Sequence, residues 1–180
     1  MDRILLDGTK GQREFQAARD LLDLDARPCE SVLAVEFYGD VVDRLAALER
    51  KPVGTRKQIL QTLAEINQFW ALRKAGLSLL TGRKGDAKPA TCIEDCAVRP
   101  KDLPAYYSGL QAIMRRLGLE VSYYGHAASG LLHARPMLDL HSAADLKKFR
   151  QVTEEVAALV RQFKGSFCAE HGVGLGRTEF

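Results

Sequence analysis

Two histidines seven residues apart, His126 and His133, flank a Gly-Ser turn signal in the stretch from Tyr123 to Pro136. Strand-type apolar residues surround that signal (Val121, Tyr123, Leu131, Leu132), a pattern that predicts a β-hairpin. A two-residue turn at Ser129-Gly130 pairs the histidines directly, and a turn one residue earlier leaves them diagonal neighbours. In either register both imidazoles leave one face of the sheet, close enough to share an ion. Gly125, Gly130 and Pro136 argue against a helix here. Two imidazoles and a carboxylate make a three-ligand site with one open position, suited to Lewis-acid action on an oxygen ligand. Glu170 is the carboxylate expected to join them, if the last strand runs beside the hairpin.

His171 is the candidate general base, since a neutral imidazole is the usual one at neutral pH. On a strict strand it points away from Glu170, and the glycines after it can break the strand and re-aim it. Ordinary sheet histidines on a half-polar face remain an open alternative from these residues alone. Cys168, two residues before Glu170, is a lesser candidate ligand, and His141 reads as a surface residue. The run Gly172-x-Gly174-x-Gly176 is not followed by a helix, so a self-contained nucleotide loop is rejected. Arg73 continues the stripe Ile59, Leu63, Ile66, Trp70 and either lies on the surface near the helix C-terminal dipole or meets an anion.

The chain that must position these groups has 180 residues, 46% hydrophobic and 27% charged, which suits one domain, or one large piece of a bigger protein, with a proper core. A net charge of +3, with no basic run interleaved with aromatics, gives no support to nucleic-acid binding. No apolar run approaches membrane-spanning length and no signal peptide opens the chain. Cys29, Cys92, Cys96 and Cys168 lack zinc-finger spacing and read as reduced thiols, which points to the cytoplasm.

Residues 1–29 read as a helical lead-in. A buried strand is expected at 31–38. Helices follow at 41–50, burying Val41, Val42, Leu45 and Leu48, and at 56–75. A polar loop at 81–90 leads to a strand at 91–98 that carries Glu94 and Asp95. Asp102 opens a helix to about 117 with Leu103, Tyr107, Leu110, Met114 and Leu117 on its apolar face. The histidine hairpin spans 120–127 and 130–136. Ser142 with Asp145 is a capping-box-like start to a helix ending near 164, which buries Leu146, Phe149, Val152, Val156, Leu159 and Phe163. A short strand at 166–169 delivers Glu170 and His171. The order predicts an α+β fold: a mostly antiparallel sheet with helices on one face, built from ferredoxin-like β-α-β units.

Several separated motifs agree in order with a known family. Gly125-His126, Gly130, Leu132-His133-x-Arg135-Pro136 and Glu170-His171-Gly172-x-Gly174 resemble the C-terminal domain of FAD-linked oxidases. These are flavoproteins of the D-lactate dehydrogenase, glycolate oxidase and D-2-hydroxyglutarate dehydrogenase type. Trp70-Ala71-Leu72-Arg73 is similar to the family's W-x-x-R element. Ile93-Glu94-Asp95-Cys96-Ala97-Val98-Arg99-Pro100 resembles the strand variant found in members fused to iron–sulfur modules. The resemblance covers residues 30–180 as a cap domain. It departs from the common G-H-x-G-D-G-N-L-H form at Ala128, Ser129 and Leu131, where acid and amide residues are usual.

The resemblance implies a longer flavoprotein whose separate N-terminal domain binds FAD, with an iron–sulfur cluster possible elsewhere. It implies metal ligation, usually by zinc, at His126, His133 and Glu170. It also implies that His171 takes the hydroxyl proton, that Arg73 holds the substrate carboxylate, and that Gly172 and Gly174 lie at the cofactor. The activity implied is oxidation of a D-2-hydroxy acid (D-lactate, glycolate or D-2-hydroxyglutarate type) by hydride transfer to flavin, with the isolated chain inert. Two rivals remain: a non-catalytic ferredoxin-like ligand-binding module, and a zinc-dependent hydrolase.

Overall fold

The computed structural model describes all 180 residues and divides into two compact units, residues 1–8 with 76–180 and residues 9–75. The first unit contains the sheet, and the fold is α+β. Its elements are α1 (Arg3–Gly8), α5 (Gly76–Thr81), β1 (Lys88–Pro89), β2 (Cys96–Ala97), α6 (Leu103–Leu117), β3 (Val121–His126), β4 (Leu131–Leu138) and α7 (Ala143–Gln162). The second unit holds α2 (Arg13–Leu21), α3 (Val42–Arg50) and α4 (Leu63–Lys74).

Strand β4 is the spine of the sheet. β3 pairs with it along one side, while β1 and β2 pair with opposite ends of the other side, all antiparallel. Alternation along β4 then sorts its side chains. Leu132, Ala134 and Leu138 face the main core, with Tyr106, Leu110 and Met114 of α6 and Val152, Val156 and Val160 of α7. His133, Arg135 and Met137 face the other way with Tyr124 of β3, and Leu5 of α1 and Leu80 of α5 cover Tyr124 and Met137.

The hairpin has the diagonal register. His126 lies opposite Leu131 and His133 opposite Tyr124. A short 3-10 turn, Ala127–Ser129, joins the strands and ends at Gly130 with φ +73°. A Cβ on Gly130 would sit 1.7 Å from the Val98 carbonyl oxygen, while the Gly130 carbonyl accepts the Val98 N–H at 3.1 Å. Gly130→Ala therefore has to break the β2–turn contact as well as bear a left-handed φ. A loss of at least about 2 kcal/mol in urea unfolding is expected, and a variant within 0.5 kcal/mol of wild type would show that the turn can shift at little cost.

Several expected elements differ. Residues 31–38 do not join the sheet, and Leu33, Val35 and Tyr38 are exposed; a β-branched, aromatic run becomes a strand only where an edge receives it. Helix α3 forms, but none of its residues is fully buried and Val42 is exposed. Helix α4 starts late, because Thr62 and Glu65 form a capping box: the Glu65 N–H donates to Thr62 Oγ1 (3.2 Å) and the Thr62 N–H to Glu65 Oε2 (3.0 Å). Ile59 thus lies outside the helix, Leu63 is 73% exposed, and the buried face is Phe69 and Leu72 rather than the expected stripe.

In the first unit, the expected strand at 91–98 shrinks to Cys96–Ala97. Ser142 makes no side-chain cap; Asp145 instead accepts the Asp139 N–H at 3.0 Å, and Leu146 is exposed. Tyr106, not Tyr107, is the buried tyrosine of α6. The final strand is a single bridge between Ser166 and Ala97.

Candidate metal and substrate site

The hairpin register places the His126 and His133 rings 5.9 Å apart, nearly perpendicular. His133 is buried, and its Nδ1 lies 2.5 Å from the Glu94 backbone oxygen. A carbonyl can only accept, so the proton sits on Nδ1 and the Nε2 lone pair is free to bind a cation. Burial lowers the pKa of His133 from its ordinary value, against the raising effect of the Glu94 carbonyl, which keeps the ring neutral. His126, at the strand end, is exposed.

The tail reaches these rings through one buried carboxylate. Asp95 is fully buried, and its carboxylate accepts the backbone N–H groups of Ala169 (2.8 Å), Glu170 (3.0 Å) and His171 (2.9 Å). Burial alone would raise the Asp95 pKa, but these bonds, that from His171 foremost, outweigh it and hold the carboxyl below its ordinary value. Three successive amides turned toward one group form a turn, not a strand. That is why Glu170 and His171 point into the same cluster instead of to opposite sides.

Glu170 Oε1 lies 3.3 Å from His133 Nε2, 3.8 Å from His126 Nε2 and 3.4 Å from His171 Nε2. The His171 ring stacks on His133 at 4.8 Å, tilted by 2°, with Nδ1 3.9 Å from Asp95 Oδ1. The ligand atoms of His126, His133 and Glu170 all lie within 4.8 Å of one another, as do those of Asp95, His133 and His171. A second buried acid secures the loop beyond. Glu94 Oε1 lies 2.8 Å from Arg177 Nη1, and Arg177 bonds the carbonyls of Val173 and Gly172. Gly172 and Gly174 both have positive φ and stand in this loop.

Neither Asp95 nor Arg177 was assigned a role from sequence. Two adjacent acids beside Ile93 and Cys96, in an apolar stretch, were the available signal for a buried anchor. Cys92 and Cys96 are buried in the main core, where desolvation pushes both thiols up to about 12. No cysteine belongs to either ligand cluster, and Cys168 is not among the groups that converge. His141 is exposed beside Asp139. Arg73 belongs to the other compact unit, in the last turn of α4, where the Trp70 indole N–H donates to Glu36 Oε1 at 2.9 Å.

The family of FAD linked oxidases, C-terminal domain, matches residues 2–180. This chain belongs to that family. The D-2-hydroxyglutarate dehydrogenase of Haemophilus influenzae is 37% identical over 118 residues, 66% of this chain and 12% of that protein. The D-2-hydroxyglutarate dehydrogenase of Pseudomonas putida is 31% identical over 164 residues, 86% of this chain and 16% of that protein. The mitochondrial D-lactate dehydrogenase [cytochrome] of Kluyveromyces lactis is 26% identical over 115 residues, 63% of this chain and 19% of that protein. The chain thus spans less than a fifth of the length of these relatives. As an FAD-linked oxidase domain it carries no helix long and apolar enough to cross a membrane.

Proposed function

We propose that this chain is the substrate-side domain of a longer FAD-dependent dehydrogenase that oxidises a D-2-hydroxy acid. Residues 30–180 would form the cap proper and 1–29 its lead-in. The observation that carries the reading is the convergence of His126, His133, Glu170 and His171 in a chain of this family. Names shared by relatives, D-2-hydroxyglutarate and D-lactate dehydrogenase, favour it over a ligand-binding module or a hydrolase.

His126, His133 and Glu170 are the metal ligands in this reading. Ligand atoms on a tetrahedral zinc ion stand about 3.3 Å apart, close to the 3.3 and 3.8 Å between Glu170 Oε1 and the two imidazole nitrogens. Nitrogen and carboxylate donors suit zinc as well. The Asp95, His133, His171 set fits less well, because the Asp95 oxygens already accept three amides. When bound, the metal supplies Lewis-acid polarisation of the substrate hydroxyl and FAD, held chiefly by another domain, accepts the hydride.

This chain's residues do the rest. His171 takes the hydroxyl proton at Nε2, and the resulting imidazolium has the buried Asp95 carboxylate beside Nδ1 as counter-ion. His133 stacks on His171 and fixes its plane. Arg73 holds the α-carboxylate, and Gly172 and Gly174 let the tail backbone approach the flavin. An iron–sulfur cluster, if the longer protein has one, takes its ligands from outside this chain's metal cluster. Four free cysteines suit a cytoplasmic setting.

The test is anaerobic mixing of the full-length flavoprotein with D-2-hydroxyglutarate and D-lactate, following flavin bleaching. Bleaching by at least one acid, and none with the isolated 180-residue chain plus FAD, is expected. A full-length protein whose flavin no D-2-hydroxy acid reduces would sink the reading.

A further inference from the structure

Three arginines of this chain are buried: Arg19, Arg135 and Arg177. Arg19 pairs with Asp25, and Arg177 with Glu94. Arg135 has no carboxylate. Its side chain's only hydrogen bond runs from Nε to the Tyr124 hydroxyl, at 3.2 Å, with the guanidinium 6.0 Å from the Tyr124 ring centre, although the residue is 5% exposed. Both terminal nitrogens lack a protein partner, yet neither is sealed from solvent. Asp2, which sits on the strand residue opposite Arg135, is occupied by the Ser122 hydroxyl and the Tyr123 and Leu5 N–H groups and forms no ion pair with it. A guanidinium stripped of most of its water without a counter-ion is costly, and an anion removes that cost.

Its position says which anion. Arg135 lies two residues beyond His133 on β4, on the same face, about 7 Å further along the strand. Tyr124 links the two: its ring lies 4.8 Å from the His133 ring and its hydroxyl holds Arg135 Nε. That bond leaves the outer fork of the guanidinium, Nη1 and Nη2, free for a bidentate carboxylate. In a five-carbon 2-hydroxy diacid, five bonds separate the hydroxyl oxygen from a distal carboxylate oxygen, about 6 Å when extended, a span on the same scale.

We infer that Arg135 holds the distal carboxylate of a dicarboxylic D-2-hydroxy acid and makes the site selective for such diacids over monoacids. The inference rests on the hydroxy-acid reading above and adds the residue that sets the substrate class.

The test compares D-2-hydroxyglutarate with D-2-hydroxyvalerate, equal in carbon number but without the second carboxylate, on the full-length flavoprotein. Wild type should favour the diacid in kcat/KM. In Arg135→Met the preference should fall by about 100-fold or more, because a site built to bond a polar group discriminates strongly against its absence. Free guanidinium should restore part of the diacid rate. Glutarate should perturb the flavin absorbance of wild type but not of the variant, a readout that needs no turnover. An unchanged preference in a folded Arg135→Met protein of normal metal content overturns the inference. If that variant fails to fold, wild type and Arg135→Lys decide: equal use of both acids by wild type, or an unaltered preference in Arg135→Lys, overturns it. Oxidation of neither acid overturns this inference; flavin reduction by D-lactate then keeps the underlying reading, and its absence with every D-2-hydroxy acid removes both.

Discussion

His133→Ala is expected to abolish metal binding by the chain and to lower the full-length enzyme's kcat/KM about a thousandfold. His133 is the buried member of the ligand set, and Glu170 Oε1 is closer to it than to His126. Its Nδ1–H is committed to the Glu94 carbonyl, so the lone pair on Nε2 is aimed before any ion arrives. Two donors cannot hold zinc tightly, and loss of Lewis-acid polarisation removes several kcal/mol of transition-state stabilisation, about tenfold in rate for each 1.4 kcal/mol. The variant also deletes the ring on which His171 stacks, so the base loses its support. The check is metal content after dialysis against zinc-buffered solution, on untagged protein. About one ion per wild-type chain and none in the variant is expected; equal retention would place the ion elsewhere.

Asp95→Ala should detach the tail. The substitution removes the side-chain acceptor of the Glu170 and His171 N–H groups and leaves the Ala169 N–H only the Asp95 main-chain carbonyl, at 3.0 Å. Leaving a buried backbone donor unpaired costs about 1–3 kcal/mol. The chain can avoid much of that cost by letting residues 170–171 swing into water, because the segment is exposed and is held otherwise by the Ser166 bridge, the Ala169 bond to the Asp95 main chain and contacts among the histidines and Glu170. Glu170 then leaves the imidazoles, and metal affinity should drop 10- to 100-fold or more. Hydrogen exchange reads this directly: the Glu170 and His171 amides should be protected in wild type and exchange freely in Asp95→Ala. Asp95→Asn, which keeps one acceptor oxygen, should fall between. Protected amides and undiminished metal affinity in the alanine variant would show that Asp95 is not the anchor.

The sequence by itself determined the parts that local chemistry dictates. Alternation around the Gly-Ser signal specified a hairpin with both histidines on one face, because the side-chain period of a strand is two. Helices α6 and α7 stand where most of their apolar spacing puts them, and α6 ends at Gly118, although Tyr107 and Leu146 of the expected faces are exposed. The family was legible from the order of motifs alone, without any contact being known.

Tertiary structure decided what those motifs do to one another. The choice between facing and diagonal histidines depended on where Gly130 meets Val98, a close approach between residues over thirty positions apart. The residues at 31–38 had strand composition but no sheet edge that receives them. Helix α4 buried Phe69 and Leu72 because its capping box fixed the start, which a stripe counted from Ile59 ignored. Above all, the approach of Glu170 and His171 to the hairpin is made by Asp95, a residue more than seventy positions away in the chain. A carboxylate satisfied by three distant amides leaves no periodic trace in a sequence. Its energy comes from those bonds, which outweigh the cost of burial and exist only once the chain has folded.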